Sequence, residues 1–378
     1  MGFRARFRPA QCSVPIARSG SLFAKREFFG RAEMREISLM QPNRLVARTL
    51  WSLGIAVSVA ACSSLGDSGS ITPSATYSQT SPALSARNPK AAAHFAYVAN
   101  NGSNNVSAYD INASSGALMK VNGSPFAAGT APYAVAINPA GTFAYVANYD
   151  SNNVSAYAIN PSSGALTQVQ GSPFAAGSGP HAVAIDPTGT FAYVANYDSN
   201  NVSAYTINAS SGALAQVQGS PFAAGSGPDG AAIDPAGTFV YVANLDSDNV
   251  SAYVIDASNG ALTKVKRSPF KAGAWPTSVA FNPAGTFVYV TNFFSDNVSA
   301  YAVNASSGAL TQVQGSPFAA GSDPDAVAID PTGKFAYVTN NDSNNVSAYA
   351  INASDGALTH VKGSPFKTGS FPYGVAIR

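Results

Sequence analysis

No glutamate follows Cys62, and the 378 residues hold only three histidines, two cysteines and 11% charged side chains. Two cysteines in a chain this long exclude a disulfide-stapled miniprotein, and 46% hydrophobic residues exclude a disordered one. Basic clusters are missing from the body of the chain. Residues 1–61 carry ten Lys or Arg against three Glu, whereas residues 62–378 carry eleven Lys or Arg against sixteen Asp. A weakly acidic body of this kind excludes nucleic acid as the partner, because phosphate binding needs concentrated Lys and Arg. Two further patterns are absent: the GxSxG turn of an activated serine and the DxDxDG spacing of a calcium loop.

What is present begins with an address. From Met40, two arginines (Arg44, Arg48) precede an apolar run of about a dozen residues that ends in Val59-Ala60-Ala61-Cys62. The run is too short to span a bilayer. The segment reads as an export signal; its last four residues resemble a lipobox, with Cys62 as the lipidated new N-terminus and Ser63 favouring the outer membrane. The expected destination is therefore an outer-membrane lipoprotein, periplasmic or at the cell surface, or else a secreted protein. Residues 1–61 are read as N-terminal extension and signal. Residues 62–90, rich in Ser, Thr, Pro and Ala, are read as a flexible tether.

Repeats dominate the rest. FxYVxN recurs from Phe95 to Phe335, and SPF from Ser124 to Ser364, both at a period of 48 residues, so six units fill residues 91–378. Within a unit, runs of Val, Ile, Tyr and Phe alternate with turn clusters such as NPAG, YDSNN and NPSSG. Four short antiparallel strands per unit predict an all-β protein, a single β-propeller of six four-stranded blades, with seven blades the less favoured count. The first unit lacks its first strand, and the chain ends in PYGVAIR, a first strand with nothing after it. The C-terminal strand is therefore expected to pair with the N-terminal second strand and close the ring.

FAYVAN, FVYVTN, DSNNVSAY and INPSSGALTQVQGSPF resemble the YVTN-type repeats of the lactonase-like β-propellers, a family that includes 6-phosphogluconolactonases. The resemblance covers all six units and implies lactone ring opening by an Arg-His pair after the Pro of the first strand and a Glu after the Asn of the second. Here His181 stands at the Arg position, Ala182 at the His position and Tyr197 at the Glu position.

Positions that differ between near-identical units are not explained by what every blade needs. Around the Pro of the first strand these are Tyr133, His181, Asp229, Trp275, Asp323, Asp325, Phe371 and Tyr373; after the Asn of the second strand they are Tyr149, Tyr197 and Phe293. All belong to loops on one face, the expected ligand face. Exposed aromatic rings suit a glycan, peptide or protein partner, so a binding module is the main reading and a lactonase-like hydrolase the alternative. His181, Asp229 and Asp325 are the weak catalytic candidates. Nine of the sixteen Asp belong to the same face, which leaves Ca²⁺ open as a ligand, although Asx turns explain DSNN better and no cofactor or metal is expected.

Overall fold

The computed structural model describes residues 59–62 and 94–377. The expected N-terminal extension up to residue 58 and the tether from residue 63 to 90 lie outside the described residues. The described chain is all β apart from two single 3-10 turns, Asn101–Ser103 and Phe293–Ser295. It forms six sheets of five strands, one per repeat. We number the sheets 1 to 6 and letter their strands A to E in chain order. In sheet 2 these are Pro132–Ile137, Phe143–Asn148, Asn153–Ile159, Leu166–Gln168 and Phe174–Ala175.

Strand E departs from the four-strand expectation. Phe174 and Ala175 pair with Val154 and Asn153, beside the Leu166–Gln168 strand on the same edge of strand C. The Ser-Pro ahead of it reads as loop, yet the serine hydroxyl (Ser172 Oγ) accepts the Ala156 N–H at 2.8 Å and holds the segment on the sheet.

Strand B is buried on both faces, as its continuous FAYVAN pattern requires. One side of it meets the next sheet. The hydroxyls of Tyr97, Tyr145, Tyr193, Tyr241 and Tyr289, all fully buried, donate to the carbonyl oxygens of Gly164, Gly212, Gly260, Gly308 and Gly356 of the following sheet. Five apolar clusters fill the spaces between consecutive sheets. Burial raises the tyrosine pKa values from the ordinary 10.0, to about 12 for Tyr253 and Tyr349 and further for Tyr145, Tyr193, Tyr241 and Tyr289. Below pH 10 the phenols are neutral in both states and cost nothing. Above it the unfolded chain ionises while the native one resists, so stability is lost as pH rises from 10 towards 12. Alkaline titration followed at 295 nm is expected to release the buried tyrosinates together with the loss of the far-ultraviolet β signal; stepwise release from a folded chain would refute this.

The end sheets differ from the others. Phe335 of sheet 6 is 37% exposed, against 3–7% for the same phenylalanine in sheets 1 to 5. Leu118 of sheet 1 is 57% exposed, against 6–8% for its five equivalents. Leu166→Ala is therefore expected to cost about 3 kcal/mol and Leu118→Ala under about 1 kcal/mol in urea unfolding.

The expected closure by the C-terminal strand is corrected by the pairing. Strand A of sheet 1 is Val59–Cys62, with Val59, Ala60 and Ala61 opposite Val98, Tyr97 and Ala96. In sheet 2 the same places are held by Val135, Ala136 and Ile137 opposite Val146, Tyr145 and Ala144. Val-Ala-Ala and Val-Ala-Ile offer strand B nearly the same edge, and Val59-Ala60-Ala61 takes it. Pro372–Ile377 joins no strand. It is held beside sheet 6 by Phe371 N–H to Asn344 Oδ1 at 2.6 Å and by Thr339 Oγ1 to the Tyr373 carbonyl at 3.3 Å.

Candidate active site

In sheets 2 to 6 strand A begins with a proline opposite the last Asn of strand B, and the ladder then slips. In sheet 3 the register runs Pro180 to Asn196 and then Ala182 to Ala195, so His181 is left out of the pairing. The same bulge expels Tyr133 in sheet 2, Asp229 in sheet 4, Thr277 in sheet 5 and Asp325 in sheet 6. A bulge re-aims a side chain away from the sheet, which is why these positions vary while the strand around them does not. The residue ahead of each proline is left-handed: Ala131, Gly179, Gly227, Trp275, Asp323 and Phe371 have φ between 52° and 66°. In each case its N–H donates to an Asn or Asp Oδ1 of the preceding sheet, as Gly179 does to Asn152 at 2.9 Å. The ring of loop positions is therefore rigidly mounted.

One step of the repeat brings His181 against Asp229. His181 Nδ1 contacts Asp229 Oδ1, and the imidazole is buried. Three tyrosines enclose it. The Tyr133 ring lies over the imidazole at 3.5 Å between centroids, and Tyr149 and Tyr197 stand at 5.8 and 5.6 Å. Tyr149 donates to Asp198 at 3.2 Å and Tyr197 to Asp246 at 3.1 Å. Those carboxylates need the space that Gly179 and Gly227 leave, since a Cβ at either would sit 2.8 Å from the Asp oxygen. Asp229 accepting from Nδ1 leaves the Nε2 lone pair as the basic edge of the ring, the arrangement that orients a histidine for proton transfer.

The other candidates are held elsewhere. The backbone carbonyl of Asp325, two sheets beyond Asp229, accepts from Thr277 and Thr291 at 2.7 and 2.9 Å. Trp275 packs with Phe293 at 6.2 Å and with Phe294 at 3.8 Å. The Asp323 N–H donates to Asp296, and Phe371 and Tyr373 belong to the C-terminal segment outside the strands. Among the described residues no three His, Cys, Asp or Glu side chains converge as metal ligands. Asp198, Asp246 and Phe294 are the site residues that sequence reasoning did not single out for these roles. Their signal is the residue two places after the strand B Asn, which is Asp in sheets 2, 3, 4 and 6 and Phe in sheet 5, where the left-handed position is Trp.

Repeated antiparallel sheets packed face to face around bulged first strands define a β-propeller, and the chain matches the family described as lactonase, 7-bladed beta-propeller, over residues 54–178, 96–231, 171–274 and 267–371. The chain belongs to this lactonase family. That description carries seven blades, against the six expected from the repeat count; the described residues hold six sheets. Among solved structures, a periplasmic gluconolactonase of Pseudomonas aeruginosa is 21% identical with a TM-score of 0.62, over 75% of this chain and 84% of that one. Candidate 6-phosphogluconolactonases of Bacteroides uniformis and Bacteroides fragilis are 21% and 22% identical, with TM-scores of 0.62 and 0.63. They cover 75% and 72% of this chain and 84% and 81% of their own. At such identities the likeness is one of fold. No protein of curated function matches the chain.

Proposed function

We propose that the protein is a lactone hydrolase of the sugar-lactone type, with His181 as general base and Asp229 as the group that orients it. The contact between His181 and Asp229 inside the tyrosine cluster carries this reading, and family membership favours it over the binding module. In the proposed step His181 Nε2 takes a proton from water as the water oxygen adds to the lactone carbonyl. The ring C–O bond then breaks, and the proton passes to the departing oxygen to give the hydroxy acid. Asp229 stabilises the imidazolium formed in between. Tyr133 covers the imidazole, so it is the side chain that must rotate for a lactone to reach Nε2. Export with lipidation at Cys62 belongs to the same reading, supported by the Arg-flanked apolar run that ends at that cysteine; cleavage ahead of Cys62 then takes Val59–Ala61 off the edge of sheet 1.

The test is initial-rate hydrolysis of D-glucono-1,5-lactone and related sugar lactones by the full chain, corrected for the uncatalysed rate. Turnover is expected for at least one of them. A folded protein with no turnover on any would sink the proposal.

A further inference from the structure

We propose that Trp275, flanked by Phe293 and Phe294, is a stacking subsite for an uncharged sugar ring, and that the same face turns phosphorylated sugars away. This deepens the lactone reading by naming the substrate class; binding at Trp275 is measured apart from turnover.

The repeats supply the control. At the left-handed position ahead of the strand A proline, sheets 3 and 4 use Gly179 and Gly227, each facing the carboxylate of Asp198 or Asp246. Sheet 5 keeps the backbone, with φ 55° at Trp275, but replaces both partners at once: Trp275 for the glycine and Phe294 for the aspartate, ring against ring at 3.8 Å and 31°. A bulky side chain at positive φ is strained, and the scaffold does not require it, because the glycine sheets make the same turn without it. Phe293 adds a third ring, 5.5 Å from Phe294 and edge-on to it. All three are half-buried, so each keeps an accessible surface.

The rings are held before any ligand arrives. Trp275 N–H donates to Asp248 Oδ1 at 2.9 Å, Phe293 N–H to the Trp275 carbonyl at 2.8 Å, and Ala274 N–H to Ser295 Oγ at 2.6 Å. A fixed platform stacks a flat apolar surface at little entropic cost.

Charge decides which flat surface. The turns between strands B and C and the residues between strands E and A contain Asp248, Asp296 and Asp323 close by, and in none of the six repeats do they contain Lys or Arg. An aromatic face rimmed by carboxylates offers stacking and hydrogen-bond acceptors, which suits the C–H face and the hydroxyls of a neutral sugar. A phosphate ester finds repulsion from these carboxylates.

The experiment uses the full chain with Trp51→Phe, which leaves Trp275 as the one tryptophan. The probes are D-glucono-1,5-lactam, a neutral ring that is not hydrolysed, and its 6-phosphate. The lactam is expected to change Trp275 emission. Calorimetry is expected to show it binding at least about fivefold more weakly to Trp275→Gly/Phe294→Asp, which rebuilds the pair found in sheets 3 and 4 and so preserves the fold. The 6-phosphate is expected to bind about tenfold more weakly than the lactam at low salt, with the gap narrowing as salt screens the carboxylates. Unchanged emission with the lactam, equal affinity in the double variant, or a phosphate ester that binds as tightly as the lactam would each overturn the proposal. His181→Ala separates the two readings: lactam binding at Trp275 is expected to survive there. Binding without turnover in the parent protein leaves the subsite standing and removes the hydrolase.

Discussion

Gly212→Ala is expected to cost about 3 kcal/mol or more, and Gly116→Ala about 1 kcal/mol, although the two glycines are the same residue of the same turn. Gly116 and Gly212 have φ of 70° and 72°, so an alanine meets the same backbone strain at both. The neighbours differ. A Cβ at Gly212 falls 2.3 Å from Cδ1 of Phe143, the buried strand B phenylalanine of the preceding sheet. Phe143 is packed on all sides, and the Gly212 carbonyl is itself tied to Tyr145 Oη at 3.0 Å, so neither side gives way. A Cβ at Gly116 meets nothing within 4 Å, because among the described residues no sheet packs on that side of the first. The difference between the two variants thus isolates the packing of one sheet on the next from the cost of a left-handed alanine. Thermal and urea unfolding of both proteins measure it, and equal losses would show that strain alone governs the turn.

In the hydrolase reading, His181→Ala is expected to lower kcat/KM for the best lactone by about 10²–10⁴, the range over which a positioned general base acts. Asp229→Asn keeps the shape of the partner but removes its charge and allows the amide to present the wrong hydrogen-bonding group to Nδ1, so a loss of about 10² or more is expected there too. The effects of the pair should not add, since the carboxylate acts through the imidazole. Rates of the two single variants and the double variant decide the matter. An Asp229→Asn protein with undiminished kcat would dissociate the contact from the chemistry. Both residues sit in a bulge on the loop face, away from the inter-sheet clusters, so circular dichroism is expected to match the parent protein.

Much of this was legible in the residues, and what was hidden has identifiable causes. The 48-residue period places Phe143–Asn148 and Asn153–Ile159 correctly because turn clusters bracket them. Phe174–Ala175 escaped because two residues after Ser-Pro carry no alternation, and their pairing depends on the Ser172 hydroxyl. The bulge made position 181 visible as a variable site, and one further repeat puts Asp229 beside it. That His181 and Asp229 touch follows from the spacing of consecutive sheets, and the residue list alone does not give that spacing. The end of the ring was misread for a plainer reason: a strand B edge meets backbone and small side chains, and the sequence offers it two tripeptides of nearly equal merit, Val59-Ala60-Ala61 and Val375-Ala376-Ile377.

The bonds between sheets keep a constant offset along the chain: the strand B tyrosine of sheets 1 to 5 reaches a glycine 67 residues ahead, and each N–H of the left-handed residue ahead of the strand A proline reaches back 27. Every inner unit therefore carries half of two joints and none of a private one. Unequal crossing-over between such similar stretches of coding sequence inserts or deletes a whole unit with both joints already matched, and the packing inside the array does not register the change. The number of sheets can drift along a lineage while each sheet stays the same, and natural selection then weighs only the two outer faces and the side chains of the loop face.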